Sequence, residues 1–477
     1  MQTLFGDLQS RQMDENAQKD FMIPGITLME DASFSAYSII RQEIKEVGKT
    51  LFIAGGGNNG GDALAMARLA FLDGCRDIKV LLLDNGKETE LRQIQRTVCE
   101  KIGIKFAKDL ETALKDTDLI IDGLFGTGLK GEPRAPFDSY IRQINESVKN
   151  VISLDVPSGM GDGVCFGKCI KAQQTICMGV PKSAIYLPQN RDYAGIITTT
   201  FPFFPEGAKP DSDIRLLEEQ DISIRKMESG AYKKTRGSIA IIGGSGRFTG
   251  AVVLAAKAAF HAGAGLVTIF TEESLIPAIS KAIPSAMVTT YDAMENLGLF
   301  DAVLCGPGMG KEHDKALKTA LDQAKTIVVD ADGIRAFARL NLTAKSDMNC
   351  IMTPHLGEYS ALLASFCPEL RTDTPESWMN ALKATAERAN STIAVKANTV
   401  WIRKNNKIYV VEGQNPSLGV AGSGDVLSGI ITALAAQGDA NATEKGTLLH
   451  QKAGRLAHEK LGFYSSNDLI RFIGKAR

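Results

Sequence analysis

The sequence predicts an α/β protein of two domains, the first of them a doubly wound parallel sheet. Three observations carry that reading. The chain has 477 residues, more than one hydrophobic core usually serves. Short apolar runs alternate with longer helical patterns along both halves, the rhythm of βα units. The 46 glycines gather where those runs end, which is where open α/β sheets bind ligands.

In chain order, residues 51–54 form an apolar strand that runs into Gly55-Gly56-Gly57-Asn58-Asn59-Gly60-Gly61-Asp62 and then a helical stretch at 63–72. Further strands are predicted at 80–83, 119–121 and 151–154, separated by helices at 89–102 and 137–145. Between 200 and about 224 the pattern gives way to Phe201-Pro202-Phe203-Phe204-Pro205 and a polar, acidic stretch. That composition suits an interdomain connection, so the boundary is placed near Asp211, giving domains 1–210 and 211–477. The second half restarts with a strand at 238–242, the loop Gly243-Gly244-Ser245-Gly246 and a helix at about 250–262. Strands at 266–270, 302–305, 326–329, 350–352 and 393–395 follow. No residue-level repeat relates the halves.

Hydrophobic residues make up 44% of the chain, charged residues 23%, and the net charge is −1. This is an ordinary globular composition, with no basic excess to hold nucleic acid or an anionic membrane. The segment Met1 to Asp7 lacks the basic and apolar regions of an export signal, and no run is long enough to cross a bilayer, so a cytoplasmic protein is expected. Eight cysteines over this length read as reduced thiols rather than a disulfide framework. Cys165 and Cys169 are the one close pair. With no second pair and no nearby histidine they read as loop or strand thiols, not zinc ligands.

The most informative segment is Gly419-Val420-Ala421-Gly422-Ser423-Gly424-Asp425-Val426-Leu427-Ser428-Gly429. Its glycines let the backbone turn several N–H groups inward, and the helical run at 426–434 points its N-terminus at the same spot. The combination is a phosphate cradle. A carboxylate is misplaced beside a phosphate, so Asp425 is assigned to proton transfer or metal contact, the alternative being a helix cap. In the first half, Asn58 to Asp62 offers amide oxygens, a carboxylate and a helix N-terminus in one turn, suited to a ligand bearing hydroxyl and phosphate groups. The loops Asp122-Gly123-Leu124-Phe125-Gly126-Thr127-Gly128-Leu129-Lys130-Gly131 and Asp155-Val156-Pro157-Ser158-Gly159 each leave a strand with an acidic residue at its end. Their oxygens would also suit a hard cation.

Residues 10–33 with Leu28-Met29-Glu30-Asp31-Ala32, the Asn58 to Asp62 loop, the Gly126 to Gly131 loop, Asp155 to Gly159 and Val180-Pro181-Lys182 occur in this order in NAD(P)HX epimerases. Residues 1–205 resemble that family throughout. The resemblance implies a Rossmann-like three-layer αβα domain that interconverts the R and S forms of the C6 hydrate of NADH or NADPH. It implies that Asn58, Asn59, Gly60, Gly61, Asp62, Gly126, Thr127, Gly128, Leu129, Lys130, Gly131, Glu132 and Asp155 line the hydrate. It also implies that Asn59, Asp122 and Ser158 hold a potassium ion, K+. Asp155 and Lys130 are the acid/base candidates. Asp31 and Ser33 stand where the family usually has Asn and Gly.

The second half, from about 225, is similar to ADP- or ATP-dependent NAD(P)HX dehydratases. The likeness rests on residues 234–250, Ala262-Gly263-Ala264-Gly265-Leu266-Val267, Cys305-Gly306-Pro307-Gly308-Met309-Gly310, Thr353-Pro354-His355-Leu356-Gly357-Glu358 and the Asp425 loop. It implies a ribokinase-like α/β domain in which Ala251, Gly308, His355 and Asp425 contact the hydrate. Lys396, Ala397, Asn398, Thr399, Val400 and Gly424 would contact ADP or ATP, with Mg2+ bridging its phosphates. Asp425 would take the proton of the C6 hydroxyl of the S hydrate as that oxygen attacks the terminal phosphate; elimination of phosphate then restores the reduced nicotinamide. The chain departs from the usual pattern at Lys396-Ala397-Asn398 and at Asp330-Ala331-Asp332-Gly333. A homo-oligomer is implied by the same likeness. The rival readings are a small-molecule kinase of this fold, and a first half that only binds. NADHX against NADPHX, and ADP against ATP, stay open.

Overall fold

The structure, a computed structural model, describes residues 1–201, 203–221, 223–224 and 229–477. It comprises two compact units. One is Thr3–Ile214 with Arg371–Met379; the other is Met1–Gln2, Arg215–Leu370 and Asn380–Arg477.

The first unit is built on seven strands, β1 (Thr50–Ala54), β2 (Ile78–Leu82), β3 (Lys105–Phe106), β4 (Leu119–Gly123), β5 (Asn150–Leu154), β6 (Gln174–Cys177) and β7 (Ile196–Thr199). They run parallel in the order β3-β2-β1-β4-β5-β6-β7. Every residue of β1 is buried, because both faces of the sheet are covered. Phe52 and Ala54 face Ala36, Ile40 and Ile44 of helix α2 (Gly25–Val47) and Leu64 and Met66 of helix α3 (Asn58–Leu72). Leu51 and Ile53, one residue out of phase, face Ile141 and Ile144 of helix α4 (Phe137–Glu146). Helix, sheet and helix make the three layers of a Rossmann-like domain. The chain winds outward from β1 to β3 and then returns to β4, so a crevice opens between β1 and β4, at the carboxyl ends of the strands. The β1 loop can close onto α3 only through glycine: a Cβ on Gly60 would lie 2.0 Å from the Gly55 carbonyl oxygen.

The second unit contains β8 (Ile214–Leu217), β9 (Ser238–Ile242), β10 (Leu266–Thr271), β11 (Met287–Thr290), β12 (Ala302–Cys305), β13 (Thr326–Val329), β14 (Asn349–Met352), β15 (Thr392–Lys396), β16 (Thr399–Lys404) and β17 (Lys407–Glu412). These strands follow the order β8-β17-β16-β15-β14-β13-β12-β9-β10-β11. Pairing is parallel from β11 to β15 and antiparallel through β15, β16 and β17. Helices α5 (Thr249–His261), α6 (Leu356–Phe366), α7 (Ser423–Ala436), α8 (Ala442–Leu461) and α9 (Ser466–Ala476) follow their strands in the chain. Ile239, Ile241, Val267, Ile269 and Leu304 of the sheet share one core with α5, α7, α8 and α9. The first crossing in that core is tight, since a Cβ on Gly429 of α7 would sit 2.3 Å from the Ala255 carbonyl oxygen of α5. Here the winding reverses between β9 and β12, which sets the second crevice.

The strands expected at 238–242, 302–305 and 326–329 occupy those residues, and the helix expected at about 250–262 is α5. The stretch 200–224, read as a connection, contains β8, whose Ile214, Leu216 and Leu217 are buried; Pro202 and Ile222 of that stretch lie outside the described residues. No helix among the described residues is long and apolar enough to cross a membrane. All eight cysteines are free thiols, Cys165 part-exposed and Cys169 buried.

Candidate active sites

The crevice between β1 and β4 holds a cavity of about 560 Å³. One wall comes from α2 and the preceding helix α1 (Asp7–Lys19), through Ser10, Arg11, Asp14 and Met29. The other wall is made of strand-end loops. Of the residues expected there, Asn58, Asn59, Asp62, Gly126, Thr127, Gly128, Leu129, Lys130 and Asp155 line the cavity. Gly60 and Gly61 instead pack against Gly55 and Met29, and Gly131 and Glu132 carry the β4 loop onto the exposed surface.

Asp155 follows β5 with φ +67°, a conformation costing a non-glycine residue about 1–3 kcal/mol, and its amide donates to Ile176 O at 2.8 Å. The surroundings that impose this conformation include an ion pair. Lys182 Nζ donates to Asp155 Oδ1 and, at 3.0 Å, to Met178 O, and both side chains are buried. Burial opposes the Lys182 charge, but Asp155 prevails and holds its pKa above the ordinary value. Lys130 lines the same cavity from an exposed loop position.

Two more carboxyl groups face the pair. Burial, reinforced by Asp155, pushes Asp62 well up, while the Ser33 hydroxyl donates to its Oδ1 at 3.2 Å. Asp14 lines the cavity from an exposed position on the helix Asp7–Lys19, within electrostatic reach of Lys182 and Asp155. The cavity therefore combines the carboxyl groups of Asp14, Asp62 and Asp155 with the ammonium groups of Lys130 and Lys182, a set suited to moving protons.

Beneath this cavity Asp122 is fully buried. Its Oδ1 accepts from Ser158 Oγ at 2.6 Å and Leu124 N at 3.2 Å; its Oδ2 accepts from Ser153 Oγ at 2.7 Å and Ser158 N at 3.0 Å. Burial raises its pKa and these bonds, Ser158 foremost, resist. Asn59 Nδ2 donates to Phe125 O at 2.9 Å and Leu154 O at 3.2 Å, which leaves its buried Oδ1 with no partner among the described residues. An orphaned amide oxygen close to carbonyl and hydroxyl oxygens, with a single carboxylate, fits a weakly charged hard cation better than a transition metal.

In the second unit the β9 and β12 loops meet where Gly244 N donates to Pro307 O at 2.9 Å. A Cβ on Gly308 would approach the Ala251 Cβ to 3.2 Å, so those two expected residues are neighbours. Gly422, at φ +88°, turns the chain into α7. The first-turn amides of a helix have no partner within it, so α7 presents donors beside Gly424 and Asp425. Lys396 Nζ lies 3.2 Å from where a Gly424 Cβ would be, over that helix end. It is held by Asp330, whose Oδ1 accepts from Lys396 Nζ and Thr353 Oγ1, both at 2.8 Å. Burial pushes Asp425 up to about 7, and Asp330 reinforces the shift against Lys396. Ser423 Oγ is 3.2 Å from Nε2 of His450, whose pKa burial drives down to about 4, so that ring is neutral at pH 7.

His355 is half-exposed and caps α6: its Nδ1 accepts from Gly357 N at 3.0 Å and Glu358 N at 3.3 Å. Its loop is tied to the β15–β16 turn, since Lys396 N donates to Pro354 O at 2.7 Å. Ala397 and Asn398 form that turn. Thr399 and Val400 are buried in β16, where Val400 packs with Leu217, Ala394 and Val411. Sequence reasoning missed Asp14, Lys182, Asp330, Thr353 and His450. Lys182 stood in a quoted motif and Asp330 in a noted departure, but only the fold shows what each touches.

Comparison with known proteins shows the family. A family model described as "NAD(P)H-hydrate dehydratase" matches residues 239–475, and one described as "YjeF-related protein N-terminus" matches 25–184. The Coxiella burnetii protein named bifunctional NAD(P)H-hydrate repair enzyme Nnr is 32% identical, covering 97% of this chain and 96% of its own. The protein of that name from Dictyoglomus turgidum is 30% identical, covering 90% of this chain and 88% of its own. Among solved structures, a ribokinase-like superfamily protein from Enterococcus faecalis matches with a TM-score of 0.50 and 23% identity, covering 56% of this chain and 96% of that one. That likeness shows the fold of the second unit, and the two relatives extend the match over both units. The chain belongs to the family of bifunctional NAD(P)H-hydrate repair enzymes.

Proposed function

We propose that residues 1–210 epimerise R- and S-NAD(P)HX and that residues 211–477 dehydrate S-NAD(P)HX at the expense of ADP or ATP supplied as its Mg2+ complex. The observation that carries the reading is Asp425, a carboxyl group titrating near neutrality inside an anion-binding helix end with Lys396 beside it. A phosphate on the α7 amides would meet the Lys396 ammonium at that helix end. Asp425 accepts the proton of the C6 hydroxyl as its oxygen attacks the terminal phosphate, and the amides and Lys396 take up the charge that develops. Phosphate then leaves C6, in place of hydroxide, with the electron pair of its C–O bond, C5 gives up a proton to the departing phosphate, and the C5–H electrons form the ring double bond. The product from ADP is AMP.

In the first unit, Asp155, oriented by Lys182, faces the hydrate as an acid/base group. Asn59 Oδ1, Ser158 and Asp122 would hold K+ beneath the cavity, and a bound K+ would supply positive charge that fixes the β4 and β5 loops. The support for K+ is the orphaned Asn59 oxygen and the buried Asp122 charge. The reading extends to a cytoplasmic enzyme of free small molecules, supported by the near-neutral charge and unpaired cysteines. A homo-oligomer rests on the resemblance alone.

Two variants of the full chain test the assignment. Asp425→Asn abolishes NADH recovery from S-NADHX and leaves R–S exchange intact; Asp155→Asn does the reverse. Chromatography of the epimers and absorbance at 340 nm read the two activities, and a variant that lost both, or neither, would overturn the division of labour.

A further inference from the structure

We propose that the first unit holds the distal nucleoside of its substrate in a second cavity, where Asp84 accepts the free hydroxyls of the adenosine ribose, so that the epimerase site favours NADHX over NADPHX. The inference rests on the epimerase reading of the first unit and deepens it. The second cavity has a volume of about 340 Å³ and adjoins the first, since Gly57, Thr89 and Phe125 line both. Its lining also includes Asp84, Lys87, Glu88 and Phe137.

The order of the strands sets the spacing of the two cavities. Asp155 follows β5 and Asp84 stands two residues past β2. The order β2-β1-β4-β5 puts three strand steps between them, about 14 Å along the edge of the sheet. In doubly wound sheets a dinucleotide lies across that edge, and an acidic residue after the strand that follows the glycine loop holds the ribose diol. Strand β1, the Gly55 to Asp62 loop, α3, β2 and Asp84 form the same succession here. The β1 loop closes on the Asp84 segment: Thr89 N donates to Gly56 O at 3.0 Å, and a Cβ on Gly56 would lie 3.4 Å from the Asp84 Cβ. Between the cavities there is room to pass, because a Cβ on Gly57 would meet nothing within 4 Å beyond its chain neighbours.

Asp84 is anchored and still has capacity. Its Oδ2 accepts from Arg92 Nη2 at 2.6 Å and its Oδ1 from Gly86 N at 3.0 Å. A carboxylate oxygen accepts two hydrogen bonds, so each keeps a place for a ribose hydroxyl. Arg92 is buried with both ends of its guanidinium on Asp84 and Glu88, so its donors do not face a ligand. Asp84 and Glu88 therefore offer acceptors alone. A diol donates to such a surface, whereas a 2′-phosphate brings only further acceptors and negative charge. Lys87, the lining residue of opposite sign, is exposed, where water and salt screen it. Phe125 and Phe137, edge to face with centroids 5.0 Å apart, supply an apolar wall for the base.

The test follows R–S exchange by the full chain on NADHX and on NADPHX, with no ADP or ATP present. The wild-type protein is expected to show a KM for NADHX about tenfold or more below that for NADPHX, the effect of one hydrogen bond to a charged acceptor. Asp84→Asn, which trades an acceptor for a donor, should bring the two KM values to within a few-fold of each other. A purely structural role for Asp84 would change both substrates alike and leave their ratio where it was. Equal KM values in the wild type, or an unchanged ratio in Asp84→Asn, would overturn the proposal. So would a wild-type preference for NADPHX that Lys87→Ala removes, which would give the cavity to a 2′-phosphate. If Asp84→Asn does not fold, the wild-type protein decides: AMP must compete with NADHX for exchange more strongly than adenosine 2′,5′-bisphosphate does, and equal inhibition or none sinks the assignment. Exchange of neither hydrate by the wild-type protein would bring down the epimerase reading itself, an outcome distinct from exchange without preference.

Discussion

Asp425 acts as a base only while ionised, and burial with Asp330 beside it pushes its pKa up to about 7. The proton must therefore be off before catalysis. In the free enzyme kcat/KM for dehydration should rise about tenfold per pH unit below 7 and level off above it. A flat profile between pH 5 and 8 would show that another group takes the proton. Lys182 gives a second prediction at this scale. Removing its ammonium in Lys182→Met leaves Asp155 buried and uncompensated near Asp62 and Asp14, which should cost about 3–5 kcal/mol. Denaturant titration of Lys182→Met/Asp155→Asn should recover most of that loss, and simple additivity would contradict the pairing. Asp425 was legible because its meaning is local: glycine turn, acid and helix are contiguous. Lys182 and Asp14 were not, because one acts through Asp155, on the far side of β6 in the chain, and the other sits in a helix that reads as polar throughout.

At the scale of elements, the position of Asp425 depends on how α7 crosses α5. Gly429 lets the helices touch at the Ala255 carbonyl, where a side chain would meet backbone rather than a movable group. Gly429→Val should cost about 1–3 kcal/mol or more and, by displacing the α7 N-terminus, lower dehydration while R–S exchange persists. A variant of unchanged stability and activity would show that this crossing does not set the site. The strands that sequence located best, β9, β12 and β13, are central and apolar on both faces. The hairpin β16–β17 escaped, although Thr399–Lys404 and Lys407–Glu412 flank Asn405-Asn406, with Asn405 at φ +50°. The charged residues Arg403, Lys404, Lys407 and Glu412 break the continuous apolar run by which buried parallel strands are recognised. The strands β6, β7 and β8 are interrupted by Gln174 and Thr175, Thr198 and Thr199, and Arg215, so they lack the apolar run that marks β12 and β13.

For the whole molecule, the two units make chemical sense together. A dehydratase confined to one epimer leaves the other untouched unless exchange is catalysed in the same compartment, and the first unit supplies that exchange. Both crevices lie where the winding of a parallel sheet reverses, so their places followed from the glycine loops and the order of the strands. What lay beyond sequence was the set of contacts that hold each site residue in place: Lys182 on Asp155, Asp330 on Lys396 and the neutral His450 behind Ser423. Each joins residues far apart in the chain, and no local pattern encodes such a contact. The most direct test of the account is absorbance at 340 nm when the protein meets a mixture of R- and S-NADHX with Mg2+ and ADP or ATP. The account predicts recovery of NADH from the whole mixture, faster than spontaneous epimer exchange. Recovery of the S fraction alone, or a stable phosphorylated product in place of NADH, would contradict it.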